Sequence, residues 1–168
     1  MTDNIVNRVA NSKLEVINLE DYYPQGKRVI LDIKNWLYEE LVLREKDFRQ
    51  QAKSFNWEQY NHCYVALICS SNAVIPAWAY MLLSTYLAPF AKKTVLGDLD
   101  VLETSIYQNI IEDLDLSSYQ DKFVIIKGCS NKPIPHNAFI QLTTKLKPLV
   151  KSLMYGEACS AVPLYKKK

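Results

Sequence analysis

Few features of this sequence point to a familiar chemistry, and each absence narrows the functions open to it. The 168 residues include only 4 glycines and 7 prolines, which argues against a disordered or linker-rich chain. The formal net charge of +2 provides no field that would attract nucleic acid or an anionic membrane. The N-terminus lacks the apolar core of a signal peptide, and no apolar run approaches the roughly 18 residues of a membrane span. We therefore expect a cytoplasmic protein with neither nucleic acid nor membrane as a partner.

Recognised catalytic and phosphate-binding motifs are also missing. The chain contains no GxxxxGK[ST] loop, no GxGxxG loop and no CxxC pair. It has two histidines and four cysteines. In a reducing cytoplasm four cysteines are more often metal ligands, reactive thiols or packed core residues than disulfides.

What the chain does contain is an internal repeat at an offset of 59 residues. Residues 71–98 align without a gap on residues 130–157, and 11 of the 28 pairs are identical. The identical pairs include Pro76/Pro135, Ala79/Ala138, Leu83/Leu142, Leu87/Leu146 and Gly97/Gly156. A repeat of this length predicts a duplicated supersecondary unit.

Each copy of the repeat has the pattern of a β-α-β unit. An apolar run such as "CYVALIC" without polar alternation is typical of a strand buried in a parallel sheet. Proline then stands where a helix can begin, and an apolar stripe at every fourth position follows. The sequence predicts an α/β fold, an open and mainly parallel sheet built from the duplicated unit, preceded by an N-terminal β-hairpin and helix lead-in.

The predicted organisation is a single α/β domain over 1–168. The lead-in contains a short helix over residues 3–10, two strands joined by Pro24-Gln25-Gly26, and a helix in the second half of "WLYEELVLREKDFRQQAKSF". The predicted segments are a lead-in at 1–61, a first β-α-β copy at 63–98, a crossover helix at 99–121, a second copy at 122–157 and a cysteine-containing tail at 158–168.

Three cysteines follow predicted strands and suggest a metal site. In an open parallel sheet, sites gather at the carboxyl ends of the strands, and Cys69, Cys129 and Cys159 are predicted to converge there. Thiolates select zinc or an iron–sulfur cluster. The candidates for a fourth ligand are His136, Asp98 and Glu157. Cys63, at the opposite end of its strand, is predicted to be a core residue, and His62 a loop residue.

Two other kinds of function stay open on the same residues. Cys129 near a helix N-terminus and lysines could be the nucleophile of a cysteine-dependent enzyme, with His136 as its partner. Alternatively, the cysteines only pack and the chain is a partner-binding module. In that case Tyr22-Tyr23-Pro24 or Trp36 would mark the partner surface.

Several stretches resemble an uncharacterised bacterial family, the domain of unknown function 2480. They include "LEDYYPQGKRV", "YVALICSSNAVIPAWAYMLL", "KGCSNKPIP" and "KSLMYGEACSAVPLYK", and the resemblance covers essentially the whole chain. The family has no assigned activity, so the resemblance implies no enzyme. It does imply an accessory role beside iron–sulfur cluster assembly proteins as partners, with Cys69, Cys129 and Cys159 as the matching residues. It implies no requirement for His136.

Overall fold

The computed structural model describes residues 14–128, 131–157 and 160–168. In these ranges the strands are β1 Leu14–Ile17, β2 Arg28–Asp32, β3 Tyr64–Ile68, β4 Lys93–Leu96, β5 Phe123–Lys127, β6 Ser152–Glu157 and β7 Ser160–Lys166. The α-helices are α1 Glu45–Ser54, α2 Ala77–Leu87, α3 Leu99–Asp113 and α4 His136–Leu146. The fold is therefore mixed α/β, with sheets of mostly parallel strands.

The chain divides into two compact units, each with its own sheet. The central unit comprises Pro24–Ile106, and the terminal unit comprises the described parts of Met1–Tyr23 and Tyr107–Lys168. The prediction that 1–168 form one domain with the internal boundaries given above stays a prediction.

The central unit has three parallel strands in the order β2-β3-β4. The middle strand reads Tyr-Val-Ala-Leu-Ile, and its three inner residues are buried, as expected of a strand covered on both faces. The core on one side combines aliphatic residues of β3 and α2 with aromatic rings from the segment before β3. Trp36 lies within this core, with its ring centroid 5.5 Å from Phe48 and 6.0 Å from Trp57.

The terminal unit has four strands in the order β1-β5-β6-β7. The first three are parallel, and β7 runs antiparallel to β6 with an irregularity between Leu153 and Met154. Its core contains fully buried residues of β5, β6, α3 and α4. The hydroxyl of Tyr107 donates a 3.0 Å hydrogen bond to the carbonyl oxygen of Leu19 inside this core.

The helices α2 and α4 begin directly after a proline, as the sequence predicts. Pro76 and Pro135 precede their first residues with extended backbone angles, φ −68° and −69°. A proline costs little there because the first N–H groups of a helix have no partner within it. The predicted apolar stripes face the cores, and all six residues are buried: Ala79, Leu83, Leu87, Ala138, Leu142 and Leu146.

Two predictions about strand pairing are wrong: the N-terminal β-hairpin and the single sheet. β1 pairs in parallel with β5, and β2 pairs in parallel with β3, so the two strands predicted to form a hairpin belong to different sheets. The turn residues between them do not bring them together because each strand finds a buried parallel neighbour elsewhere. The strands β3 and β5, predicted to share one sheet, also lie in different sheets.

Other expectations about elements have mixed outcomes. The predicted strand "SLMYGE" is β6, the helix after Arg44 is α1, and Cys63 is a buried core residue. The crossover helix ends at Asp113 and is followed by a short 3-10 turn at Ser117–Tyr119. The helix predicted over residues 3–10 lies outside the described residues. Across the described ranges, no helix is long and apolar enough to cross a bilayer, and the cytoplasmic location stays a prediction.

Candidate functional site

The carboxyl end of the central sheet is where the sequence places Cys69. Its Sγ lies 3.2 Å from the hydroxyl of Ser71, which also accepts a 3.3 Å hydrogen bond from the N–H of Ala73. The cysteine is half-buried and packs against the central core. These contacts hold the loop after β3 in place.

Asp32, at the end of β2, fixes the same loop. Its Oδ1 accepts hydrogen bonds from the N–H of Lys34 at 3.0 Å and of Ser70 at 3.1 Å. Burial disfavours the carboxylate, but hydrogen bonds from Ser70 and Lys34, with the charge of Lys34, lower the pKa of Asp32 on balance. Tyr80 lies close by, and its pKa is raised by burial and by the nearby groups of Cys69 and Asp32.

The three candidates for a fourth ligand have other roles or surroundings. Asp98 is exposed, and its Oδ1 accepts a 2.9 Å hydrogen bond from the N–H of Val101, which caps the start of α3. His136 is exposed at the first residue of α4. Glu157 is half-buried, and its Oε1 is buried without a hydrogen-bond partner in the described part of the chain.

The metal function predicted from the cysteines is corrected by this geometry. Across residues 14–128, 131–157 and 160–168, no group of three or more histidine, cysteine, aspartate or glutamate side chains could hold a metal ion. The expected role in iron–sulfur assembly or metal handling is therefore wrong for the described chain. Its premise fails too, since the strands β3 and β5 that precede two of the cysteines belong to separate sheets.

Two of the three cysteines lie outside the described residues. Cys129 and Cys159 fall in the gaps at 129–130 and 158–159, so their assignment as ligands with Cys69 stays a prediction, as does zinc or an iron–sulfur cluster as the cofactor. The alternative prediction of an enzyme with Cys129 as its nucleophile also concerns a residue outside the described ranges, so it stays a prediction.

The prediction that Trp36 would mark a partner surface is wrong. Its side chain is buried in the core of the central unit and is not available to a partner. Tyr22 and Tyr23 are partly buried and pack against the core of the terminal unit. The ammonium of Lys132 lies 5.5 Å from the ring centroid of Tyr23.

The strand β4 lies at one edge of the central sheet, as β2 does at the other. Among the described strands, β4 pairs only with β3. The N–H of Gly97 donates to the carbonyl oxygen of Leu67 at 2.9 Å, so this N–H faces β3. Because N–H groups alternate along a strand, those of Thr94 and Leu96 face away from β3. The edge presents backbone donors and acceptors in a form that another strand can use.

An apolar groove runs beside this edge, between β4 and α2. It has a volume of about 400 Å³ and is lined by Leu67, Tyr80, Met81, Ser84, Thr85, Thr94, Val95 and Leu96. Two of its apolar side chains are strongly exposed, Met81 at 67% and Leu96 at 57%. No charged residue lines it. We call the β4 edge and this groove together the β4 surface.

The corresponding edge in the terminal unit carries a strand. β6 begins 59 residues after β4 and pairs with β7 on the side away from β5. Tyr155, at the position of Leu96, lies opposite Val162 of β7, and Leu153, at the position of Thr94, lies opposite Tyr165. Tyr165 packs against the core of the terminal unit, and the ring of Tyr155 contacts Phe139 edge-on at 5.7 Å.

The comparisons with known proteins give a family but no activity. A family described as protein of unknown function (DUF2480) matches residues 3–167, so the chain belongs to this family. No curated protein and no solved structure matches the chain.

The β4 surface was missed in the sequence because β7, the strand on the corresponding edge of β6, was missed. Residues 158–168 were expected to form a tail, whereas Ser160–Lys166 form β7. Pro163 interrupts that segment, and a proline argues against a strand except at an edge, which is where β7 lies. The alternation around Pro163 is the signal that could have indicated an edge strand.

Proposed function

We propose that the protein is a peptide-binding module in which the β4 surface accepts an extended segment of a partner protein as an added antiparallel strand. Such strand addition uses backbone hydrogen bonds for affinity and side-chain pockets for specificity. The observation that carries the proposal is the contrast between β6, which has β7 on its outer edge, and β4, which has no strand there among the described residues.

The contrast has weight because the two segments correspond residue by residue. We infer that they are copies of one β-α-β unit, the duplication that the sequence predicts. In support, β3 and β5, and likewise α2 and α4, begin and end 59 residues apart. The residues His62 and Asp121, also 59 apart, both have positive φ, of 60° and 55°.

Backbone pairing at the end of each helix supports the same inference. The N–H of His62 donates to Phe90 at 2.9 Å, and the N–H of Asp121 donates to Leu149 at 2.8 Å. The donors of the two hydrogen bonds are 59 residues apart, and so are the acceptors. Two copies with matching backbones should both expose backbone N–H and C=O groups at their outer edges. In the terminal unit β7 pairs with those groups of β6.

The chemistry of the β4 surface suits a peptide better than a small polar substrate. Its exposed apolar side chains lose contact with water when a strand covers them, which contributes about 25 cal/mol per Å² of apolar area buried. The outward N–H groups of Thr94 and Leu96 gain partners from the added strand. No charged side chain lines the groove, so it offers no ionic partner to a small charged substrate.

Binding of a peptide with the β7 sequence tests the proposal. A fluorescently labelled Ser-Ala-Val-Pro-Leu-Tyr-Lys peptide should bind the full chain saturably in an anisotropy titration. The variant Met81→Glu places a charge in the groove and should weaken binding about tenfold or more, because the charge resists burial. The matched control is Ile140→Glu, at the equivalent and similarly exposed position (64%) of α4, and it should bind the peptide as the wild type does.

Three results would overturn the proposal. The peptide could fail to bind at all, or the two variants could weaken it equally, which would place binding elsewhere. Alternatively, sedimentation could reveal a dimer that Met81→Glu dissociates while Ile140→Glu does not. That last result would make a second copy of this chain the occupant of the β4 surface.

A further inference from the structure

We propose that the partner segment carries an aromatic residue that inserts into the groove between β4 and α2. This inference rests on the proposed function and specifies the class of peptide. Its basis is a difference between the two units: aromatic rings cover the surface beside β6 and α4, whereas the corresponding surface beside β4 and α2 is a groove.

In the terminal unit, two tyrosine rings occupy this surface. One is Tyr155 of β6 itself, whose ring contacts Phe139 of α4. The other is Tyr165 of β7, which lies opposite Leu153 and packs against the core beside α4. The ammonium of Lys147, at the end of α4, is 5.9 Å from the centroid of the Tyr165 ring.

In the central unit, both rings are missing from the surface. Leu96 replaces Tyr155, so the strand contributes an aliphatic side chain where β6 contributes a ring. The smaller Thr94 replaces Leu153, and β4 has no added strand to supply a counterpart of Tyr165 among the described residues. The result is the groove of about 400 Å³.

The lining of the groove matches the two ends of a tyrosine or a similar amphipathic ring. Met81 and Leu96 offer apolar contacts, and a thioether beside an aromatic ring is a favourable neighbour. Ser84 and Thr85 of α2 supply hydroxyl groups at the groove. Aromatic side chains bury a large area while losing few rotatable bonds, and such residues anchor many interfaces.

Self-pairing of β4 would not fill the groove in this way. The strand reads Lys-Thr-Val-Leu and contains no aromatic residue, so the β4 strand of a second copy would itself bring no ring to the groove. An aromatic partner segment is therefore a better match than a β4–β4 dimer.

Two peptides and one protein variant test the inference. The wild-type chain should bind Ser-Ala-Val-Pro-Leu-Tyr-Lys about tenfold or more tightly than the same peptide with alanine in place of tyrosine, measured by competition anisotropy. The variant Ser84→Phe places a ring in the groove from the α2 side. We expect it to bind both peptides with similar affinity, since strand pairing remains while the pocket for the ring is lost.

The outcomes separate this inference from the proposed function. Equal binding of the two peptides to the wild-type chain would overturn the aromatic anchor and leave strand addition standing. A preference for tyrosine that persists undiminished in Ser84→Phe would place the ring outside the groove and would also overturn it. Failure of both peptides to bind would overturn the proposed function together with the anchor.

Discussion

Arg28 of β2 and Glu103 of α3 form a buried ion pair across 75 residues of sequence, with 2.6 Å between Nε and Oε1. Their side chains are only 11% and 6% exposed. Arg28 also donates from Nη1 to the carbonyl oxygens of Pro24 and Gly26, each at 2.7 Å. The pair therefore ties the turn before β2, the strand itself and α3 into one structure within the central unit.

Loss of the carboxylate should destabilise the protein strongly. In Glu103→Gln the buried guanidinium of Arg28 loses the carboxylate that it contacts at 2.6 Å. Removing one member of a buried ion pair costs about 3–5 kcal/mol. The free energy of unfolding in urea should fall by that amount. The matched control is Glu45→Gln, because Glu45 pairs with Arg49 at 2.8 Å on an exposed helix face. That change should cost less than about 1 kcal/mol, and equal losses in the two variants would contradict the account.

The apolar stripes of α2 and α4 should contribute similarly to stability. Leu83 and Leu142 are both fully buried, at equivalent positions of the two helices. Each change to alanine removes buried methyl groups and leaves a cavity, at a cost of about 2–5 kcal/mol. Met81→Ala, on the exposed face of α2, should cost far less. A loss at Leu83 or Leu142 no larger than the loss at Met81, measured by urea denaturation, would speak against the packing described.

Gly156, near the end of β6 and opposite Ala161 of β7, should tolerate no side chain. Its φ is 122°, and an added Cβ would lie 2.8 Å from the carbonyl oxygen of Ser160. Gly156→Ala should cost more than about 1 kcal/mol because the backbone conformation and the contact are both unfavourable. Gly128→Ala is a milder control, since its nearest contact is the Tyr155 ring at 3.1 Å. Unfolding free energies that fall equally in the two variants would count against this special requirement at Gly156.

The carboxylate of Asp32 should stabilise the central unit in a pH-dependent way. Hydrogen bonds and the charge of Lys34 outweigh burial and hold its pKa below the ordinary value of 3.8. A lowered folded-state pKa gives stability that is present above the ordinary value and is lost as the pH falls through the folded value. The difference in unfolding free energy between wild type and Asp32→Asn should therefore be largest near neutral pH and should shrink in acid. Urea titrations at several pH values measure it, and a difference independent of pH would contradict this role.

The parts of the fold that the sequence predicted are those with local signals. Pro76 and Pro135 mark helix starts, and buried residues at every fourth position mark the inner faces of α2 and α4. Strand pairing was predicted less well. Nothing near Pro24 and Gly26 shows that β1 joins β5 while β2 joins β3, because parallel partners are chosen by burial far along the chain.

The candidate site was predicted poorly for a related reason. The cysteine pattern drew attention to strand ends, and the metal interpretation assumed one sheet where there are two. The β4 surface becomes visible only when β4 is compared with its counterpart β6. That comparison needs the strand β7, whose Pro163 masks its β-like alternation in the sequence.

Amide hydrogen exchange at Leu96 and Tyr155 tests the central claim most directly. Both amides face the outer edge of their strands, but among the described strands only that of Tyr155 has a neighbour there, with Val162 opposite. In the free protein we predict fast exchange at Leu96 and slow exchange at Tyr155, and saturating β7 peptide should slow Leu96 without changing Tyr155. Protection of Leu96 in the free protein, or no slowing at saturating peptide, would contradict the claim that β4 accepts an added strand.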